Sequence, residues 1–332
     1  MSRKIWSGQK QYLSVSFTNF FREPWKLDWD KFLVPGMLVA LVIGLTFLND
    51  HFLTLGNLLN VLQQISILAI VSAGMTFVII GGGFDLSVGA VIALTGSLAA
   101  LVMVRYGMVL GIGVGLLAGM ATGMINGLFV SLLKVNPFIR TLGMSVVARG
   151  VALGITGGTA ILNLPSSFSW LGNGRIFGVP VSGLVVIVVY IIGLIVLRRT
   201  TVGLKIYAVG GNKEAARLSG MKANKISLAT YIISGFTAGL AGILMAARLR
   251  SGDPTSGMTM ELFSVAAVVL GGTSLKGGEG YLSRSLIGVL FIGFLENGLN
   301  LLNVPYYWQQ VVIGSLFMLT AALGMIRSRK SI

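Results

Sequence analysis

Long apolar stretches without charged residues follow one another along most of the chain. A helix needs about 20 apolar residues to cross the hydrocarbon core of a membrane. Six windows near or above this length contain no Asp, Glu, Lys or Arg: 32–49, 86–104, 106–133, 176–197, 226–247 and 297–326. The stretch 51–84 also lacks these residues, and three further apolar runs contain or adjoin charges: 138–156, 261–275 and 283–303. We predict ten membrane segments, the eighth of which is short.

The apolar stretches do not show the alternation of apolar and polar residues that is typical of membrane β-barrel strands. Unpaired backbone groups are very costly in hydrocarbon, so the segments are predicted to be helices. The expected fold is an all-α membrane protein, a polytopic bundle of about ten transmembrane helices.

The composition narrows the function classes. Of the 332 residues, 55% are hydrophobic and only 11% are charged, whereas soluble domains carry about 25% charged residues. This difference excludes a soluble globular protein, and the high hydrophobicity excludes intrinsic disorder. The chain contains no cysteine, which excludes a disulfide scaffold, thiolate metal sites and cysteine catalysis.

Basic residues concentrate in three segments outside the apolar runs. Residues 1–31 hold six Lys or Arg, residues 198–225 hold seven, and the tail after Ile326 holds three. With ten spans, all three segments lie on one side of the membrane, which the positive-inside rule predicts to be the cytoplasmic side. The net charge of +15 is therefore a topology signal, and we do not expect nucleic-acid binding.

This topology predicts the organisation of the chain. We expect a cytoplasmic or interfacial N-terminal segment at 1–31, a transmembrane domain at 32–326 with a cytoplasmic loop at 198–225, and a cytoplasmic tail at 327–332. Aromatic and basic residues in the first segment suit the inner leaflet, and a partly ordered tail is an equal alternative. The protein is expected in the cytoplasmic membrane, with both termini in the cytoplasm.

Glycines indicate close helix packing and sharp turns. The window 106–133 carries five glycines at four-residue spacing, which predicts a helix face that another helix approaches closely: Gly111, Gly115, Gly119, Gly123 and Gly127. Two glycine-rich loops, 81–87 and 271–280, lack the residue order of a P-loop. We predict turns between packed helices, with Asp85 or Ser87 capping the next helix. The structural residues of these loops are Gly82, Gly83, Asp85, Ser87, Gly271 and Gly272.

Residues that support catalysis are scarce. His51 is the only histidine, and neither an HExxH nor a GxSxG motif occurs, so the usual metalloprotease and serine-hydrolase arrangements are missing. We expect no catalytic residue, no metal site and no cofactor on this chain. A lipid-modifying membrane enzyme is the least favoured function.

The basic loop 198–225 is longer than the 2 to 8 residues that usually connect helices in bundles. Within it, Glu214–Ser219 suits a short helix that Asn212 caps and Gly220 ends. A short helix held between glycine-rich turns is typical of a docking element. The candidate docking residues are Asn212, Glu214, Ala215, Ala216, Arg217, Leu218 and Gly220.

Several motifs, in order along nearly the whole chain, resemble the membrane subunit of ATP-binding cassette importers for monosaccharides, the ribose-type permeases. The matching segments are GMT at 74–76, GGFDLSVG at 82–89, TL at 141–142, RG at 149–150, AVGGN at 208–212, EAARLSG at 214–220, VLGGTSL at 269–275 and GG at 277–278. The resemblance implies a bundle of about ten helices, similar to the cobalamin-type importer permeases.

The resemblance also implies partners. We expect a second permease subunit, identical or similar, a pair of cytoplasmic ATPases that hold ATP-Mg, and an extracytoplasmic sugar-binding protein. The ATPase is expected to attach at the loop around Glu214–Gly220. The alternative is a self-sufficient secondary carrier or channel, and the scarcity of buried titratable groups favours the importer. The cargo sugar stays open.

Polar and charged side chains are costly within apolar spans. The candidate pathway or intramembrane polar residues are Asn126, Arg149, Glu296, Asn297 and Asn300. Glu296 and Asn300 are four residues apart and share one helix face. Two hypotheses remain. Either Arg149 and Glu296 form an ion pair that holds helices together, or the polar residues form a stripe past which sugar hydroxyls move.

Overall fold

The computed structural model describes residues 29–330. Residues 34–332 form one compact unit and residues 1–33 another. Of the unit 1–33, only residues 29–33 are described, and they form the start of the first helix. Most of the predicted N-terminal segment, residues 1–28, and residues 331–332 of the predicted tail lie outside the described residues.

The described residues form 13 helices and one two-stranded antiparallel sheet. The helices are α1 (Trp29–Leu48), α2 (Leu55–Ile80), α3 (Val88–Tyr106), α4 (Met108–Ser131), α5 (Pro137–Thr156), α6 (Ser166–Asn173), α7 (Val181–Arg199), α8 (Thr201–Gly211), α9 (Lys213–Leu218), α10 (Ala223–Leu249), α11 (Met260–Leu270), α12 (Leu282–Leu301) and α13 (Tyr306–Lys330). The strands β1 (Arg175–Ile176) and β2 (Val179–Pro180) pair between α6 and α7.

Seven of these helices are long and apolar enough to cross a membrane: α2, α3, α4, α5, α7, α10 and α12. Two shorter apolar helices are Val34–Leu48, within α1, and α11. The expectation of an all-α polytopic membrane protein is therefore confirmed, and the count of ten spans stays a prediction. The eleven residues of α11 rise only about 16 Å, so the segment predicted to be short is short.

The glycine face of α4 packs against α3 and α10. A Cβ atom added at Gly119 would lie 2.5 Å from the carbonyl oxygen of Gly235 in α10, and one added at Gly111 would lie 2.6 Å from that of Ala99 in α3. Any side chain at these positions would displace a neighbouring backbone. The predicted close approach is confirmed, and it follows from glycine's missing Cβ.

The spans differ widely in burial. In α2, 89% of the apolar span is buried, whereas in α5 the share is 22%. Helix α5 begins where Asn136 Oδ1 accepts a hydrogen bond from the Phe138 N–H and Pro137 occupies the first helical position, a favourable start. It ends at Gly157, whose φ of 63° suits glycine. Local sequence thus sets both ends of α5, while most of its surface contacts no other part of residues 29–330.

Candidate functional site

Helix α9 has the ends that its sequence predicts. Asn212 Oδ1 accepts a hydrogen bond from the Ala215 N–H at 2.9 Å, which satisfies one of the free donors of the first turn. Beyond Leu218 the chain turns at Gly220, whose φ is 82°. The N–H groups of Gly220 and Met221 donate to the carbonyls of Arg217 and Ala216. The predicted cap at Asn212 and the predicted helix end at Gly220 are both confirmed.

The outer surface of α9 carries one apolar side chain and one ion pair. Ala216 is buried with Val209 and Ala223, whereas Leu218 is 75% exposed. The Arg217 guanidinium binds the Glu214 carboxylate through Nε and Nη2, the closest approach being 2.5 Å. The hydrogen bonds from Arg217 lower the pKa of the exposed Glu214 carboxyl. The sequence analysis did not predict this pair, although the spacing of three residues permits it.

Two glycine-rich loops and the last turn of α8 meet beside α9. We call their contact, formed by Gly82, Gly210, Gly277 and Gly278, the glycine junction. A Cβ atom at Gly277 would lie 2.7 Å from Gly82 Cα and 2.8 Å from the Gly210 carbonyl oxygen. The Gly278 N–H donates to the carbonyl of Ile80, the last residue of α2, at 2.8 Å. The backbone leading into α9 therefore contacts the end of α2 and the loop between α11 and α12 directly.

Of the glycine junction, only Gly82 was predicted to be a structural loop residue, although Gly210, Gly277 and Gly278 lie within the matching segments 208–212 and 277–278. Each of the three contributing segments contains two or more consecutive glycines, and that shared feature was the available signal. Among the predicted loop residues, Gly83 lies against the Tyr231 side chain, and Gly271 lies against the backbone of Arg284. Gly272 has a φ of 86°. These positions act as turns between packed helices, as predicted.

Asp85 is the centre of a buried polar cluster. Its Oδ1 accepts hydrogen bonds from Ser87 Oγ at 2.5 Å and from the Ser87 N–H at 3.1 Å, and its Oδ2 accepts one from Ser234 Oγ at 2.8 Å. Asn126 Nδ2 donates to Ser87 Oγ at 2.9 Å. The cluster ties the loop between α2 and α3 to α4 and α10. The predicted side-chain cap of α3 is wrong: Asp85 binds the N–H of Ser87, the residue before the helix, and the Ser87 side chain makes no capping bond.

The candidate pathway residues of α12 join helices. Asn297 and Asn57 exchange two amide hydrogen bonds, at 2.8 and 2.9 Å, which link α12 to α2. Asn300 Oδ1 accepts a hydrogen bond from Gln309 Nε2 of α13 at 2.9 Å. Polar side chains in apolar spans satisfy each other in this way, which is the common arrangement for intramembrane amides.

The predicted ion pair between Arg149 and Glu296 is wrong. Arg149 Nη1 donates to the carbonyl oxygens of Pro254 and Ser256, at 2.7 and 2.8 Å. These carbonyls belong to the loop between α10 and α11, which runs alongside α3. A Cβ atom at Gly252 in this loop would lie 3.1 Å from Ser97 Cα. Irregular backbone at the depth of a span needs hydrogen-bond partners, and Arg149 supplies two of them.

No group of three or more His, Cys, Asp or Glu side chains that could hold a metal ion occurs within residues 29–330. A cavity of about 690 Å³ opens between α9 and the turn that joins α4 to α5. An apolar cavity of about 610 Å³ lies between the loop 82–86, the start of α5, and α11.

Comparison with known proteins gives consistent matches. Residues 57–321 match the family model described as branched-chain amino acid transport system / permease component. The ribose import permease protein RbsC of Escherichia coli strain K12 is 41% identical over 92% of this chain and 96% of its own length. The ribose import permease protein RbsC of Bacillus subtilis strain 168 is 43% identical, over 88% and 91%. The L-arabinose transport system permease protein AraH of Escherichia coli K12 is 37% identical, over 89% and 90%. No solved structure gives a significant match.

Proposed function

Because this chain belongs to the family of ATP-binding cassette importer permeases, whose members are transport components rather than enzymes, we propose that it forms the membrane pathway for a monosaccharide. The named relatives support this cargo class, since they are permeases for ribose, allose and arabinose.

We place α8, α9 and the glycine junction on the cytoplasmic side. Residues 198–225, which contain these helices, hold seven Lys or Arg, and an excess of basic residues marks cytoplasmic loops. The chain has several apolar helices of membrane-crossing length, and its named relatives are bacterial. We therefore assign it to the bacterial cytoplasmic membrane. Both termini lie in the cytoplasm in this arrangement.

Helix α9 is the proposed attachment point of a separate ATPase, which holds the ATP-Mg. The observation that carries this proposal is the combination of an exposed Leu218 with a rigid support. The Asn212 side chain fixes the start of α9 and backbone hydrogen bonds fix its end. A partner that binds the exposed Leu218 therefore meets a preorganised surface, which lowers the entropy cost of binding. A displacement of α9 would be transmitted through the glycine junction to α2 and to the loop between α11 and α12.

The open face of α5 is the proposed contact with a second permease subunit, with the sugar pathway between the two. Gly143, Gly150 and Gly154 share this face, and a Cβ atom at any of them would meet no atom of the described residues within 4 Å. In membranes, small residues are enriched where helices contact each other. An extracytoplasmic binding protein would deliver the sugar at the end of the bundle opposite α9.

The docking proposal is tested by Leu218→Asp and Arg217→Glu in the chain co-expressed with its ATPase. Both variants are expected to insert and fold, because these side chains are exposed, and to lose most of the co-purifying ATPase. The matched control is Leu162→Asp, which changes a leucine that is 61% exposed between α5 and α6. Full ATPase recovery with both α9 variants would refute the role of α9. Sugar uptake into vesicles by the purified chain alone would instead support the secondary carrier.

A further inference from the structure

The wall of the 690 Å³ cavity beside α9 includes two lysines, Lys134 and Lys213, that the docking proposal does not use. The cavity lies between α9, the turn that joins α4 to α5, and the beginning of α10, with the glycine loop 81–83 on one side. Lys134 contributes from the turn and Lys213 from the first position of α9, while Asn224, Ser227 and Tyr231 contribute polar groups from α10. Leu218 does not line this cavity. Its volume is within the range of small-molecule sites, about 300–1,000 Å³.

Within residues 29–330 neither lysine forms an ion pair, although the charge of Lys134 contributes to lowering the pKa of Glu214. Neither Lys134 nor Lys213 forms a side-chain hydrogen bond with the residues that the structure describes. Burial and the positive charge of Lys134 both lower the pKa of Lys213. Glu214 is the one carboxylate among the residues that line the cavity, and it is bound by Arg217 through two nitrogens.

We propose that this cavity binds a phosphate anion between Lys134 and Lys213. Two lysines that form no ion pair among the described residues line the cavity, one on the turn between α4 and α5 and one on α9. They favour a ligand with at least one negative charge and several acceptor oxygens, and a phosphate group provides both. The remaining volume accommodates the organic part of a phosphate ester. The phosphate can belong to a soluble ester or to the headgroup of an anionic lipid, and the experiment below separates these sources.

The bound anion would restrain α9. Lys213 belongs to α9, whereas Lys134 belongs to the turn between two long helices of the bundle. An anion that bridges them joins the docking helix to the bundle and opposes any displacement between the two. A regulatory effect on transport rests on the proposed function of α9, but the binding itself does not.

The test measures lysine acylation in the full-length permease held in nanodiscs of zwitterionic lipid. Inorganic phosphate is compared with chloride at equal ionic strength, and mass spectrometry gives the acylation rate of each lysine. Only the neutral amine reacts. An anion that raises the pKa of a lysine by about one therefore slows its acylation about tenfold. We expect this protection at Lys134 and Lys213 and none at Lys205, an exposed lysine of α8 that is not part of the cavity lining.

Three variants sharpen the result. Lys134→Gln is expected to remove the protection of Lys213, and Lys213→Gln that of Lys134, while Lys205→Gln leaves both protected. Protection only in nanodiscs that contain an anionic phospholipid would assign the phosphate to a lipid headgroup. The proposal is overturned if phosphate slows all three lysines equally, which is ionic screening, or if neither source changes the rate at Lys213. ATPase recovery by α9 is a separate measurement, so the two proposals fail independently.

Discussion

Helices α4 and α5 are neighbours in sequence, both are apolar, and both carry glycines along one face. On α4 every glycine of that face lies against another helix, with α3 or α10 within 3.0 Å of an added Cβ atom. On α5 the three glycines of the face meet nothing among the described residues within 4 Å. Glycines therefore form a packed helix contact on α4, whereas on α5 they form a surface that no described residue covers.

This difference shows what the surroundings add to a glycine pattern. Lipid chains are as apolar as leucine, so helices in a membrane associate through close packing rather than through the hydrophobic effect. The face of α4 has gained that packing within the chain. The face of α5 has not, which is the reason for assigning it to a second subunit.

The largest effect is expected when the packed face is filled. Gly119→Leu should prevent folding or cost at least about 3 kcal/mol of stability, because the new side chain meets backbone atoms of Gly235 and Gly239 that cannot move aside. Gly113→Leu is the matched control, since a Cβ atom at Gly113 of the same helix meets nothing within 4 Å. The yield of monodisperse protein and its thermal unfolding give the comparison. Equal behaviour of the two variants would contradict the packed face.

A smaller effect is expected at the bond that ties α5 to the loop between α10 and α11. Arg149→Met leaves the Pro254 and Ser256 carbonyls without their donor, which should cost about 1–3 kcal/mol. Since Arg149 does not pair with Glu296, adding Glu296→Gln should give the sum of the two single effects within about 0.5 kcal/mol. Recovery of stability in the double variant would reinstate the ion pair.

The smallest effect on stability is expected at the open face of α5. Gly150→Leu should change the unfolding of the isolated subunit by no more than about 0.5 kcal/mol, because there is space for the side chain. Dimerisation of the variant should be weaker, since a cost of about 1.4 kcal/mol at the interface raises the dimer dissociation constant about tenfold. The dimer fraction in detergent and sugar uptake are the measurements, with Gly44→Leu in α1, also in open space, as control. An unchanged dimer fraction would remove α5 from the interface.

The features that depend on residues adjacent in the chain were predictable from the sequence alone. The apolar windows predicted the helices, because length and hydropathy decide whether a segment can cross a membrane. The Asn212 cap and the Gly220 turn were predictable because each depends on the conformation of a few consecutive residues. The four-residue glycine spacing predicted a smooth face on α4, since the helix repeat alone brings those residues together.

Contacts between residues far apart in the sequence depend on the packing of the whole helix bundle. Gly82, Gly210 and Gly277 are separated by 67 residues or more. Their contact depends on how the packed helices position these three segments of backbone. Arg149 illustrates the physical reason. Its choice between the Glu296 carboxylate and the Pro254 carbonyl followed from the loop between α10 and α11, whose unpaired backbone lies beside α5. Hydrogen bonding in an apolar surrounding is decided by which donors and acceptors the fold leaves unsatisfied within reach, and that depends on the positions of all the helices together.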